Sequence, residues 1–579
     1  MPRLEDRRFL TGQGRYVADI DVPGQAHMVV VRSDHAHGLI RGIDTAGAQA
    51  MEGVIGVHVY ADLARDGLGN LRCPAAGEHL TYKVVPPRPA LADGRVRHVG
   101  DPVAMVIAET PAQALAAAEL VLIDTEPLPA VVDIPDALTS DAPVLWTQAP
   151  GNVAFRFEKG DAAAVEAAFM TARHIVELDL VNNRVHACPI ETRAGIGAYD
   201  ATSETFTLTC NVQGVHGVRN QLADDIFAIP RARMRVTAPD VGGGFGLKNF
   251  LYPEWVLLLW AARHHGRAVK WVATRGEDFI GAAHGRDSHV KGRLALDAEG
   301  NFLALEGEIT GNMGAYLSGG GPGVASRAFM TAVGGMYKIP AIHLRARGVF
   351  TNTQPVDAYR GAGKPEANFI TERLIEVAAR RCGFDAVELR RKNAVTRFPY
   401  QTALGQTIDC GRLLANIDDA VRHADRTGFA ARREATLRDG MLRGLGFGCF
   451  LETARGATEE AAEVRFAPDG LVEIRVGTES QGQGHETAFI QIAAGRLGLA
   501  AEDFRYILPD TDETRLGHGH GGARSMHMGG GALARALDMV LEKATAHAAG
   551  LLQTSADDVI FEDGRFNTKQ SGQSLTLIE

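Results

Sequence analysis

Alternating or unbroken apolar runs at residues 28–31, 54–60 and 103–107 predict strands, and an Ala-rich stretch at 111–120 predicts one helix, so the opening section reads as a small α+β domain. Prolines then cluster between 127 and 150, and the pattern restarts at Asp161, an N-cap type residue ahead of a helix over 162–171. Further strands are predicted at 174–181, 205–210, 234–237 and 302–310, interleaved with helices. The clearest of these is 255–264, where Trp255, Leu258, Leu259 and Ala262 recur at helical spacing. It starts beside Pro253, and its first-turn N–H groups are expected to point back at the preceding loop and favour an anionic or oxo-rich ligand. A third section opens near Pro399, with strands over 444–451 and 471–476, helices over 486–497 and 532–552, and two short strands around Asp563 and Gly564. The expected division is 1–135, 150–397 and 398–579.

Glycine changes this picture. The chain of 579 residues holds 66 glycines, more than the usual share of about 7%. They collect in four loops that also carry polar hydrogen-bonders: Val-Gly-Gly-Gly-Phe-Gly-Leu-Lys at 241–248, Ala-Tyr-Arg-Gly-Ala-Gly-Lys-Pro at 358–365, Gly-Thr-Glu-Ser-Gln-Gly-Gln-Gly-His at 477–485, and His-Gly-His-Gly-Gly-Ala-Arg-Ser at 518–525. Glycine admits positive φ and lets backbone come close to a bound group, so separated loops of this kind suggest one large ligand gripped from several sides.

Charge and cysteine usage narrow the ligand. A formal charge of -10 without a basic, aromatic-interleaved stripe argues against nucleic acid. The 6 cysteines lie far apart with no C-x-x-C pair, so neither a zinc ribbon nor an iron–sulfur cluster is expected here. No stretch approaches the ~18 apolar residues of a membrane span, and the start lacks an export signal, so a cytoplasmic protein is expected.

Taken singly, the motifs are weak. The loop at 241–248 fits neither a Walker loop, since Asn249 follows Lys248, nor a dinucleotide fingerprint, whose third glycine opens the helix. Gln213 reads as a strand-end amide, Arg360 as a partner for a surface carboxylate, and Glu191 as a structural carboxylate paired to an arginine. Neither Glu452 nor Glu479 stands out as a base. His518, His520 and His527 lack the Asp or Cys company of a metal site.

In order, however, the loops resemble the molybdenum-binding large subunit of the xanthine oxidase, aldehyde oxidase and carbon monoxide dehydrogenase family. Leu-Glu-Asp-Arg-Arg at 4–8, Val-Gly-Asp-Pro-Val-Ala at 99–104 and Gly160-Asp161 extend the likeness over nearly the whole chain. The resemblance implies an α+β architecture: a hammerhead-like N-terminal domain and two mixed α/β cofactor-binding domains, the last incomplete. It implies molybdenum held by the dithiolene of molybdopterin, in the cytosine dinucleotide form, with no protein metal ligand. Gln213 would then hydrogen-bond an oxo ligand, Gly244, Phe245 and Gly246 would approach the metal, and Arg360 would lie near the active site. Gln481, Gly482, Gln483, Gly484 and Thr487, with Arg524, Ser525 and Gly529, would clamp pterin and pyrophosphate. The implied reaction is hydroxylation of an electron-poor carbon with oxygen from water, electrons leaving through an iron–sulfur small subunit carrying [2Fe-2S] and an FAD-binding medium subunit.

The chain also departs from the family pattern. The general-base glutamate of a late Gly-Glu motif has no counterpart before Glu579, which implies either a further chain supplying that segment or its loss. Gly361 stands where carbon monoxide oxidisers place cysteine, and Asn249 and Ala362 where purine oxidisers place an acidic and an aromatic residue, although Arg327 matches a pocket arginine. Aldehydes or N-heterocycles are the expected substrates. A non-catalytic cofactor-binding or assembly protein and an unrelated NAD- or FAD-dependent enzyme are the rival readings.

Overall fold

A computed structural model describes residues 3–454, 459–569 and 572–579. Two large sheets carry the site. The first runs in the order Met234–Thr237, Thr205–Cys210, Ala194–Asp200, Val269–Val272, Ala26–Arg32, Pro102–Ala108, Val54–Val59. Its last three strands come from the opening section and its first four from the section after the proline cluster, joined by parallel pairing of Ala26 with Val269. Pro102–Ala108 is buried throughout, as expected of a central strand covered on both faces. The second sheet runs Tyr82–Lys83, Val153–Gly160, Ala341–Phe350, Phe302–Gly314, Ser288–Leu296, His174–Asn182.

The helix Pro253–His265 lies on the first sheet, where Gly195 and Gly197 let it approach: a Cβ on Gly197 would stand 2.6 Å from the Leu258 backbone. It is not amphipathic. Pro253 to Ala262 are all buried, so the periodicity of its large residues marks a helix enclosed on every side. Its start holds the chain's own charges in place of a ligand. Glu254, fully buried, accepts from Arg32 at 2.6 Å and Arg193 at 3.0 Å, and Arg193 reaches Asp278 at 2.8 Å. A carboxylate at the helix N-terminus complements the dipole that was expected to attract a foreign anion.

Most sequence-predicted elements form. Thr205–Cys210 and Met234–Thr237 have the bounds read from the pattern, and Asp161 caps Ala162–Thr171 by accepting from Ala164 N at 2.9 Å. The expected strand at 444–451 does not form. Phe447, Cys449 and Leu451 do alternate onto the core, but Gly444, Gly446 and Gly448 intervene and no strand among the described residues pairs with the segment. The end of the chain forms three strands, Val559–Glu562, Arg565–Thr568 and Ser574–Thr576, where two were expected. A smaller three-stranded sheet, Ala462–Phe466, Val472–Val476 and Phe504–Tyr506, packs with His485–Leu497 and Gly531–Leu551 and carries the third and fourth glycine loops at its edge.

Candidate active site at the meeting of four glycine loops

The strand Thr205–Cys210 runs into Asn211, whose buried amide accepts from Ala194 N at 3.0 Å and donates to Thr192 O at 2.7 Å. That anchor fixes the approach of Gln213, which is 2% exposed. Gln213 N donates to Lys248 O at 2.8 Å, its Oε1 accepts from Gly246 N at 2.7 Å, and its carbonyl accepts from His520 N at 2.7 Å. One residue therefore ties the first loop to the fourth.

Close backbone approach ties the remaining loops to it. A Cβ on Gly244 would fall 2.2 Å from Gln481 Oε1 and 2.6 Å from Gln213 Oε1, so this glycine faces the third loop. A Cβ on Gly246, at φ 101°, would fall 2.4 Å from Ala358 O, and Arg360 N donates to Phe245 O at 2.9 Å, which joins the first and second loops. Phe245 itself has φ 55°, a left-handed conformation that is unusual for a non-glycine residue and sets its ring 42% exposed. Arg286 braces the second loop from behind, donating to Tyr359 O at 3.0 Å and Arg360 O at 2.7 Å. Gly519 N donates to Gly477 O at 3.3 Å, and a Cβ on Gly519 would meet Gln213 O at 2.3 Å.

Buried charges support this junction. Lys248, with a side chain 0% exposed, donates to Glu191 at 3.0 Å, and Glu191 also accepts from Gly242 N at 2.8 Å. The partner of Glu191 is thus a lysine in the first loop, not the arginine that sequence reasoning supposed. Burial pushes the Lys248 amine below its ordinary value, with Glu191 opposing that shift. In the third loop, burial pushes the Glu479 carboxyl up to about 8; one oxygen accepts from Val215 N at 3.0 Å and the other has no partner among the described residues. Glu479 is the group that sequence reasoning passed over, because only its burial sets it apart from the chain's other acidic residues.

The residues expected at the site divide into two sets. Gln213, Gly244, Phe245, Gly246, Arg360 and Gln481 meet at the loop junction, with the Arg360 side chain exposed. Gly482 O and Thr487 Oγ1 are instead engaged by the start of the chain: Arg3 donates to the former at 2.6 Å, Leu4 N to the latter at 2.7 Å, and Thr487 in turn to Glu5 at 2.5 Å. A Cβ on Gly484 would approach the Arg3 side chain. Gln483 holds its own loop, accepting from Gln481 N and donating to Glu479 O at 3.2 Å. The Arg524 fork is taken by Glu460 at 2.6 Å and His518 O at 3.2 Å, Ser525 faces His520 at 3.0 Å, and Gly529 packs on Val476 and Thr478. Among the described residues, the one three-ligand cluster does not include His518, His520 or His527.

The comparisons agree with this geometry. Residues 145–394 and 419–579 each match the model of a molybdopterin cofactor-binding domain, and 11–129 match the a/b hammerhead domain of aldehyde oxidase and xanthine dehydrogenase. The chain is 34% identical to the nicotine 6-hydroxylase large subunit of Paenarthrobacter nicotinovorans, over 97% of its own length and 70% of that protein's. It is also 34% identical to the carbon monoxide dehydrogenase large chain of Hydrogenophaga pseudoflava, over 98% of its own length and 73% of that protein's. The crystal structure of quinoline 2-oxidoreductase from Pseudomonas putida 86 superposes with a TM-score of 0.91 at 34% identity, covering 100% of this chain and 75% of that one. The chain belongs to the molybdopterin-binding large subunits of the xanthine oxidase family, a class of oxidoreductases.

The loop residues fit that cofactor on their own terms. Glu479 Oε2, Thr478 Oγ1, His485 Nδ1 and Arg524 Nε are buried polar atoms of the third and fourth loops with no partner among the described residues, where native interiors leave few such groups. A polar ligand carrying several donors and acceptors would satisfy them. No helix among the described residues is long and apolar enough to cross a membrane.

Proposed function

We propose that this chain is the hydroxylating subunit of a multi-subunit enzyme acting on an N-heteroaromatic compound or an aldehyde, with Gln213, Phe245 and Arg360 at the reacting edge. The observation that carries the reading is the fixed amide of Gln213. Gly246 N holds Oε1 as acceptor, so Nε2 is the donor end, and among the described residues its one partner is a long contact to His520 O at 3.4 Å. A donor held this way is placed to bond an oxygen of the bound cofactor without reorganising. When bound, molybdopterin supplies the redox-active metal and the chemistry that takes oxygen from water. The chain's part is to bind, orient and exclude solvent: Gly244 and Gly246 bring backbone to the group, and Gln481 and Gln483 order the third loop.

The mouth is apolar. The half-exposed Phe245 ring lies over Gly243, whose added Cβ would also touch Pro189, and exposed Ile190 follows Pro189. Such a surface suits a flat aromatic substrate, stacked and steered by the exposed Arg360 guanidinium. Gly361 beside it leaves no thiol there for copper, which separates this chain from carbon monoxide oxidation. The relatives named for nicotine and quinoline favour N-heterocycles over aldehydes.

The same reading assigns the cofactor its cytosine dinucleotide form, a [2Fe-2S] small subunit and an FAD-binding medium subunit as electron-carrying partners, and a domain division at 1–135, 150–397 and 398–579. The test is purification of the complex with its partners, followed by metal and nucleotide analysis and turnover of quinoline-type heterocycles and aldehydes in H₂¹⁸O. The expected result is molybdenum with released CMP, and ¹⁸O in a hydroxylated heterocycle. Bound NAD or FAD on this chain without molybdenum would overturn it.

A further inference from the structure

A second cluster of chemistry-bearing side chains lies away from the glycine loops. His58 is the penultimate residue of the strand Val54–Val59 of the opening section, and His264 and His265 end the helix Pro253–His265. One ring nitrogen from each lies within 4.8 Å of the others, and the Nε2 atoms of His58 and His265 are 2.9 Å apart. That is near the separation of about 3.3 Å between two imidazole nitrogens on one tetrahedral Zn(II), given Zn–N bonds of about 2.0–2.1 Å. The helix rises about 1.5 Å per residue, so its 13 residues put the cluster roughly 20 Å from the end that follows the first glycine loop.

The surroundings hold these rings in place. His264 stacks on Trp260 with centroids 4.6 Å apart and planes 15° from parallel, and His58 meets the edge of the same indole at 4.8 Å. Asp66 accepts from Trp260 Nε1 at 2.8 Å. Asp62 Oδ2 lies 3.8 Å from His58 Nδ1, on the side where a carboxylate orients a ligating imidazole and leaves Nε2 for the metal. At Gly56 a Cβ would fall 2.6 Å from His58 Nε2 and 2.9 Å from the His265 ring, so this position admits no side chain beside the cluster. His58 is buried, His265 partly so and His264 exposed, which leaves a fourth position facing water.

We propose that His58, His264 and His265 bind one Zn(II)-class transition-metal ion, completed by water, that clamps the opening section to the helix of the first cofactor-binding section. Three neutral nitrogen donors without a thiolate select this class of ion over Ca(II) or Mg(II). The rival state of the same atoms is a shared proton between His58 and His265, and metal binding distinguishes them.

The experiment is a Zn(II) titration of the full-length purified protein against a chromophoric chelator, alongside His264→Ala and His265→Gln. His264 is exposed, so its removal leaves the core intact, and circular dichroism with unchanged molybdenum content checks the fold of each variant. Wild type is expected to take up one equivalent per chain, with affinity reduced at least tenfold in either variant, and Zn(II) should raise the melting temperature of wild type alone. Cu(II) at the same site should show coupling to several nitrogens by electron paramagnetic resonance. A protein that takes up no zinc, or takes it up equally well after His264→Ala, overturns the proposal.

Discussion

Replacing Gly246 by alanine should separate the first two loops and empty the cofactor site. The new Cβ would stand 2.4 Å from Ala358 O, about 1 Å inside an ordinary carbon–oxygen contact. The obstacle is backbone, so no rotamer change relieves it. The residue also sits at φ 101°, where an L side chain costs about 1–3 kcal/mol. Moving either loop by an ångström strains the bond from Gly246 N to Gln213 Oε1, at 2.7 Å, and that from Arg360 N to Phe245 O, at 2.9 Å, each contributing about 0.5–1.5 kcal/mol net. Together these give a loss of about 2–6 kcal/mol, concentrated where the cofactor binds. The assay is molybdenum per chain by mass spectrometry, with a denaturant midpoint on the cofactor-free protein. The control is Gly495→Ala in the helix His485–Leu497, where an added Cβ meets nothing within 4 Å and alanine should stabilise by about 0.5–1 kcal/mol. If Gly246→Ala keeps full molybdenum and an unchanged midpoint, the convergence of the loops is wrong.

Glu191→Gln should cost about 3–5 kcal/mol in urea unfolding, because it leaves the buried Lys248 ammonium without its counter-charge; a loss below about 1 kcal/mol would show that the pair does not hold the first loop. Gln213→Ala should lower turnover by about 10²-fold or more, since it removes both the acceptor for Gly246 N and the proposed donor to the cofactor, while Gln213→Glu should restore the acceptor alone and leave activity low. His58, His265, His284 and His485 are lowered to about 4, mainly by burial, so the metal-free unfolded chain binds their protons first. Their stabilising effect is whole above about pH 6.5 and falls as the pH drops towards 4, which a flat urea midpoint between pH 7 and 5 would contradict. Glu479 has the opposite sign: pushed up to about 8, its neutral form is the folded one, so its contribution is whole below the ordinary carboxylate value and is lost as the pH rises from there to about 8. Glu479→Gln should keep a bond to Val215 N and remove that loss from the midpoint–pH curve.

What was legible in the sequence follows from what a local pattern can encode. Strand 205–210 was readable because alternate burial of Phe206, Leu208 and Cys210 writes a period of two into the chain. The glycine loops were readable because a tight backbone junction excludes a Cβ and so demands glycine wherever it occurs. Neither signal names a partner. The segment at 444–451 alternates onto the core as the pattern says, yet without a neighbouring strand the alternation makes no sheet. The start of the helix Pro253–His265 looks like an anion site until Arg32 and Arg193, both distant in sequence, bring Glu254 its counter-charges. Thr487 similarly meets Leu4 and Glu5 across nearly the whole chain. The Arg32–Glu254 pairing follows from the first large sheet, which brings the opening section beside Val269–Val272. Glu479 shows the consequence for function. Its carboxyl differs from the chain's other acidic groups only in where the fold puts it, and the enclosure that lifts its pKa is made by loops that no local window contains together. The glycines of this site could therefore be recognised residue by residue, whereas its buried charges had to wait for the fold.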